Sequence, residues 1–314
     1  MVNRRHIRAK VMQSIYAMHQ NGNDDIVKQE KFLYFSIENI LDLYLTMMAV
    51  LTEVRKKEVI FLEKSSKKHL ATIEEKNPNL KFVNNEVLNF LANNEKLNSA
   101  IEDRKIDTWN LHEDYILLIL EQIKKSLVYQ KYITNTVSNF EEDKRFIEYI
   151  FEFIIVPDEK LYEYFEDNRL TWIDDIPLVN TLIQRQLGDL ISGNDTKFSI
   201  PKLFKDSDDK EFVSLLFRKT VLNESEFEKE YSDKTPNWDI ERIPEIDTII
   251  LKMAICEFFK FPSIPTKVSI NEYVEIAKEY STPKSSIFIN GVLDNIVKEQ
   301  TLNKKIEKTG RGLM

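Results

Sequence analysis

Apolar residues recur at intervals of three and four along almost the whole chain, and little interrupts them. That spacing gathers them on one face of a helix, whereas a half-buried strand needs alternation at two. From about Ile26, a stripe of Leu33, Ile37, Ile40, Leu41, Tyr44, Leu45, Met48 and Leu51 continues for several turns. Glycine would weaken such stripes, and the 314 residues include only six. Tight hairpins and phosphate-cradling loops both demand more glycine than that. The pattern predicts an all-α fold.

The periodicity predicts a first helix over Arg4–His19 and a long one over Ile26–His69, with Gly22 suited to a helix end between them. A break at Pro78 follows. Further helices are predicted at Asn85–Glu95, His112–Tyr132, Glu141–Val156, Glu159–Glu166 and Pro177–Ile191. The run "SGNDTKFSIPKLFKDSDD" marks a boundary near residues 192–209. Beyond it come Asp209–Leu222, Glu224–Tyr231 and Glu245–Phe259. "FPSIPTK" is an extended break, because Pro262 and Pro265 cannot sit inside a helix. "SINEYVEIAKEY" resumes the helical pattern, and a last helix starts near Ser285. Gly291 falls inside it at a cost of about 1 kcal/mol against Ala, which close approach of another helix would offset.

Charge is distributed unevenly. The chain carries a net charge of −8, yet residues 1–23 sum to +4 and residues 298–314 to +3, leaving −15 for the body. Basic ends on an acidic body suggest a polyanion contact confined to the ends. In "NRRHIRAK", Arg4, Arg5 and Arg8 share one side of the first helix while Ile7, Val11, Ile15 and Met18 form its apolar face. Three readings of that helix are open: a solvated surface, a membrane-surface helix, or a polyanion-binding helix whose arginine forks pair phosphate. The apolar face lacks Trp and Phe and looks suited to docking on protein.

Other chemistries lack their residues. Cys256 is the single cysteine, so neither a disulfide nor a thiolate metal site forms within the chain, and its apolar surroundings predict a core position. The four histidines are scattered without metal-ligand spacing, and no phosphate-binding glycine loop or nucleophile elbow is present. Carboxylate pairs such as Glu141–Glu142 sit in polar runs as solvated faces or helix starts. No enzyme, cofactor, metal or small-molecule substrate is expected. "LYLTMMAVL" is too short to span a bilayer, and the basic start lacks the core of a signal peptide. A cytoplasmic protein without membrane contact is the expectation.

Several blocks together resemble one family. The start, "RRHIRAKVMQSIY", resembles the first helix of the NusB family of bacterial transcription antitermination factors. "IPEIDTIILKMAICEF", "IPTKVSINEYVEIAKEYS" and "SSIFINGVLDNI" follow in the family's order and spacing. The resemblance covers about residues 3–22 and 205–298. It implies a NusB-like fold of two helical bundles, assembled from residues 1–23 and 205–300, with a helical insertion over 24–204 extending the N-terminal bundle and a basic tail over 301–314. The implied function is binding of boxA-like ribosomal RNA leader transcripts together with NusE, a small-subunit ribosomal protein. This complex joins the RNA polymerase elongation complex and supports ribosomal RNA transcription.

Carried over residue by residue, the resemblance assigns RNA contacts to Arg4, Arg5, His6, Arg8, Tyr16, Lys284, Phe288 and Asn290, and a NusE contact to Asp247. Each has a plainer counterpart: packing for Tyr16 and Phe288, helix capping or solvation for Asp247. Asn271 and Glu272 read as structural. The insertion is too acidic for an RNA surface, and covering a protein partner, holding the bundles together or replacing a dimer contact all remain open for it. A helical protein-interaction scaffold with a vestigial RNA surface is the alternative to the antitermination reading.

Overall fold

A computed structural model describes residues 1–22, 24–193, 198–232 and 243–309. Residues 194–197 of the expected boundary, and 310–314 of the basic tail with Arg311, lie outside the described residues. Every regular element among the described residues is helical. The chain divides into two compact units, one of Met1–Ile37 with Leu203–Met314 and one of Glu38–Lys202.

The helices in chain order are α1 (Arg4–Gln20), α2 (Ile26–Ser66), α3 (Ile73–Lys76), α4 (Glu86–Ala92), α5 (Glu95–Asp103), α6 (Thr108–Leu111), α7 (Glu113–Lys125) and α8 (Leu127–Thr134). They continue with α9 (Phe140–Ile150), α10 (Glu159–Asn168), α11 (Ile176–Gly188), α12 (Ser207–Leu222), α13 (Glu224–Ser232), α14 (Glu245–Lys260), α15 (Thr266–Tyr280) and α16 (Ser285–Leu302). The helix expected over His112–Tyr132 is split in two, and the one expected over Asn85–Glu95 stops at Ala92, with α5 following as a separate, unexpected helix. Ser126 ends α7 and caps α8 by accepting the Tyr129 N–H, and Asn94 caps α5 by accepting the Leu97 N–H. Such side chains compete with the helical backbone for its own donors, which periodicity of apolar residues does not register. The apolar run after α9 winds into a π-helical turn over Phe151–Ile155.

The first unit is built around α14. Ile249, Ile250, Leu251, Met253, Ala254, Ile255, Cys256 and Phe258 are all buried, so this helix is apolar nearly all round. α12, α13, α15, α16 and α1 pack against it. Burial pushes the Cys256 thiol up to about 12, as befits a core cysteine. The start of α2 is fastened to α12 by Glu30, which pairs with Arg218 and accepts from Ser214, and by the Tyr34 hydroxyl, which donates to the Lys210 carbonyl at 2.9 Å. Between α14 and α15 the break is shorter than expected. Helix resumes at Thr266, directly after Pro265, because proline lacks the N–H that a helix start leaves unpaired anyway.

In the second unit α9 packs against α4 and α11, and the remainder of α2 buries Leu43, Leu45, Met48, Val50, Leu51 and Val54. The indoles of Trp109 and Trp172 donate to the Thr46 and Asn39 carbonyls of α2 at 2.9 and 2.8 Å. A window of α2 is apolar enough to cross a bilayer, with a mean hydropathy of 1.3, but 72% of that window is buried inside the protein, as in a core helix.

Gly291 departs from expectation. It is exposed, and a β-carbon built there would meet nothing within 4 Å, so no helix approaches it closely. Gly291→Ala is therefore expected to raise stability by about 1 kcal/mol, measured by urea unfolding.

Candidate nucleic-acid interface

α1 begins at Asn3, whose side-chain oxygen accepts the His6 N–H at 3.0 Å. Ile7, Val11, Met12, Ile15 and Met18 are buried against the first unit, and α12, α14 and α15 receive them. The three arginines leave α1 at different depths. Arg4 donates to Asp209 at 2.8 Å and lies 5.0 Å from the Phe212 ring, with 40% of its side chain exposed. Arg5 pairs in a fork with Glu272 at 2.9 and 3.0 Å and is 42% exposed. Arg8 is enclosed, at 2% exposure, and forks onto the fully buried Glu257 at 2.6 and 3.0 Å.

The expectation that Arg8 contacts RNA is thus at odds with its position. The Glu257 carboxylate also accepts from the Ser269 hydroxyl at 2.7 Å and the Tyr273 hydroxyl at 2.8 Å. Burial opposes charge on Arg8, but Glu257 outweighs it and raises the pKa of the guanidinium. Burial together with Glu257 drives the Tyr273 phenol well above its ordinary value, so it stays a donor. Lys10 is likewise buried. Two of the four cations that made α1 look like an electrostatic surface are interior.

What stays accessible is a groove of about 500 Å³. Asn3, Arg4, Arg5, Arg8 and Glu272 line it, together with Ser263, Ile264, Pro265 and Val268 from the break and the start of α15. The pairs made by Arg4 and Arg5 are half-exposed, and such pairs contribute only about 0–1 kcal/mol. A phosphate or carboxylate entering the groove can therefore exchange for Asp209 or Glu272 at small cost. His6 is half-buried, and desolvation, reinforced by the Arg5 and Lys10 charges, lowers its pKa. It acts as a neutral hydrogen-bonding group at pH 7. Tyr16 is 37% exposed and lies eleven residues from Arg5, about three turns, hence on nearly the same face.

The remaining assigned residues lie on α14 and α16. Lys284 is exposed immediately before α16, Phe288 is half-buried and Asn290 is exposed, donating to Asp294 at 3.4 Å. Their link to α1 runs through α15, which packs against both helices. Asp247 differs from expectation. It is 2% exposed on the first turn of α14, so the carboxylate is enclosed rather than presented to a partner. The basic tail differs in part as well. Lys308 donates to the Glu257 and Phe261 carbonyls at 2.8 and 2.9 Å and caps α14, and burial lowers its pKa to about 8.

Sequence reasoning missed Glu257, Asp209 and the wall of the groove. Glu257 had a signal: it is the one carboxylate inside "ILKMAICEFF", where an unpaired charge could not be buried. Asp209 had none.

The geometry among the described residues is thus an all-helical scaffold with a groove lined by arginines of its first helix. Comparison with known proteins gives the family. The NusB family model matches residues 179–298. The transcription antitermination protein NusB of Salinibacter ruber is 42% identical over 112 residues, covering 36% of this chain and 70% of that protein. Those of Chloroherpeton thalassium and Clostridium kluyveri are 37% and 41% identical, over 33% and 31% of this chain and 50% and 62% of their own lengths. No solved structure matches. The chain belongs to the NusB family. The family match begins at residue 179, inside the expected insertion, and so includes most of α11.

Two measurements check this description. Glu257→Gln is expected to cost about 3–5 kcal/mol in urea unfolding, because it strands the Arg8 charge in the interior. His19 hydrogen-bonds Glu224 at 3.0 Å and Glu245 at 3.1 Å. The Glu224 bond, against burial and with help from Glu245, raises its pKa above 6.5. The stability that charged His19 contributes is therefore full below about pH 6.5 and is lost as pH rises through the raised folded value. The gap in unfolding free energy between wild type and His19→Gln should narrow from pH 6 to pH 9, a range chosen at about the ordinary histidine value and above.

Proposed function

We propose that this protein binds boxA-like ribosomal RNA leader transcripts with NusE, as part of the RNA polymerase elongation complex, and so supports ribosomal RNA transcription in the cytoplasm. Membership in the NusB family makes it a transcription antitermination factor and not an enzyme. The observation that carries the RNA reading is the half-exposed state of Arg4 and Arg5 over an open groove, each held by a carboxylate that a phosphate can replace.

Roles within this reading follow from depth. Arg4 and Arg5 pair phosphate through their forks. His6, neutral, offers a hydrogen bond, and Tyr16 offers a ring face for stacking a base. Lys284 adds an exposed charge and Asn290 an amide for a base edge, while Phe288 presents its accessible part beside them. Arg8 acts indirectly by fixing the pitch of α1 against α14 and α15.

Depth also selects the experiment. Replacing Arg8 would strand the buried Glu257 carboxylate and mix a loss of stability with any loss of binding, so the double change Arg4→Glu and Arg5→Glu is the informative one. Binding to boxA and scrambled RNA, with and without NusE, is measured by fluorescence anisotropy across a salt series. Affinity for boxA should fall at least tenfold in the variant, with a shallower salt slope and unchanged thermal unfolding. Undiminished binding, or equal affinity for boxA and scrambled RNA in the wild type, overturns the reading.

A further inference from the structure

The face of α2 that begins this first-unit segment carries an unusual combination. Phe32 and Phe35 are 45% and 53% exposed, with ring centroids 6.4 Å apart and planes tilted by 38°. Lys28 and Lys31 are exposed on the same stretch, and among the described residues neither forms an ion pair. Helical spacing sets Lys28, Phe32 and Phe35 in one row with Lys31 beside it. Of the nearby acids, Glu30 is held by Arg218 and Ser214, Asp25 accepts the Lys28 backbone N–H, Asp24 stands before the helix, and the exposed Glu38 follows Phe35 by one turn, closing the row at that end. An open groove of about 640 Å³ runs between α1 and this row, lined by Ala17, Asn21, Gly22, Lys28, Gln29 and Phe32. Ala17 is the α1 residue next to the exposed Tyr16.

Two exposed phenylalanines would ordinarily mark protein docking. Here Lys28 and Phe32 line a groove bordered by α1, the helix that carries Arg4, Arg5 and Tyr16, and Lys31 and Phe35 continue the row beside it. Aromatic faces that stack successive bases, interleaved with cations that track phosphates, are what a single strand requires. The two rings are separate and tilted, so each can hold its own base. We propose that this groove is a second RNA-binding segment, which receives single-stranded nucleotides flanking the element bound at the Arg4–Arg5 groove, with Phe32 and Phe35 as stacking faces and Lys28 and Lys31 as phosphate partners. The proposal rests on the RNA reading above and extends it into the segment that the sequence set apart as insertion.

The test uses the full chain and two labelled RNAs: a boxA-like RNA of about twelve nucleotides, and the same RNA lengthened by about six uridines at each end, within the usual span of such grooves. Lengthening should tighten wild-type binding about tenfold. The double variant Phe32→Ala, Phe35→Ala should erase that gain, and Lys28→Glu with Lys31→Glu should reduce it. Neither should alter affinity for the short RNA or the thermal unfolding, since all four side chains are exposed. No gain on lengthening, or a gain that survives both variants, overturns the groove while short-RNA binding that depends on Arg5 leaves the first site standing. A wild type that binds neither RNA removes both. If the phenylalanine variant instead converts a dimer to monomer in sedimentation velocity, the face belongs to a second copy and the proposal falls.

Discussion

The Arg8–Glu257 pair joins α1 to two consecutive helices about 250 residues further along the chain. Its arginine comes from α1, its carboxylate from α14, and the two hydroxyls that complete the carboxylate's bonding from α15. A buried carboxylate with so many donors is tolerable only because each lone pair finds a partner. The geometry this imposes is specific. α1 must lie at one height and one rotation for the fork to close, and that rotation decides which of its other cations reach the surface. Arg4 and Arg5, four and three residues earlier, are carried to the rim of the groove, where their own carboxylates hold them loosely.

A graded series of ion pairs follows along one helix. At the bottom the pair is dry and its partner irreplaceable. At the rim water screens the pair, and the contribution of Asp209 or Glu272 is small enough for a ligand anion to displace. The same residue type thus serves to fasten the helix and to present charge. Lys308 repeats the first role at the same C-terminal end of α14, where its ammonium satisfies carbonyls that the helix terminus leaves open. Arg8 and Lys308 are thus engaged in holding α14, and the charge left for a polyanion is narrower than composition suggests.

Much of the fold was legible because helices are local. Caps such as Asn3 and the turn at Gly22, with its φ of +56°, are written into neighbouring residues, as is the halt imposed by Pro262 and Pro265. The split at Ser126 and the new helix start at Asn94 were missed because their cause is a single hydrogen bond to the backbone, to which apolar periodicity is blind. The site was legible in outline only. The arginine row could be read from spacing, but the partners of Arg4, Arg5 and Arg8 lie more than two hundred residues away in the chain. Asp247 shows the same limit. A carboxylate on a helix's first turn reads as solvated or partner-facing, and only the packing around α14 enclosed it.

The sequence by itself determined an all-helical protein of the NusB family, with its basic first helix, since periodicity, composition and short motifs are properties of neighbouring residues. Tertiary structure alone decided which cations are surface and which are interior, that the exposed Gly291 has open space over it, and that Phe32 and Phe35 stand in the open beside a groove. Burial depends on what the folded chain brings alongside a residue, and no residue carries that information in its own neighbourhood.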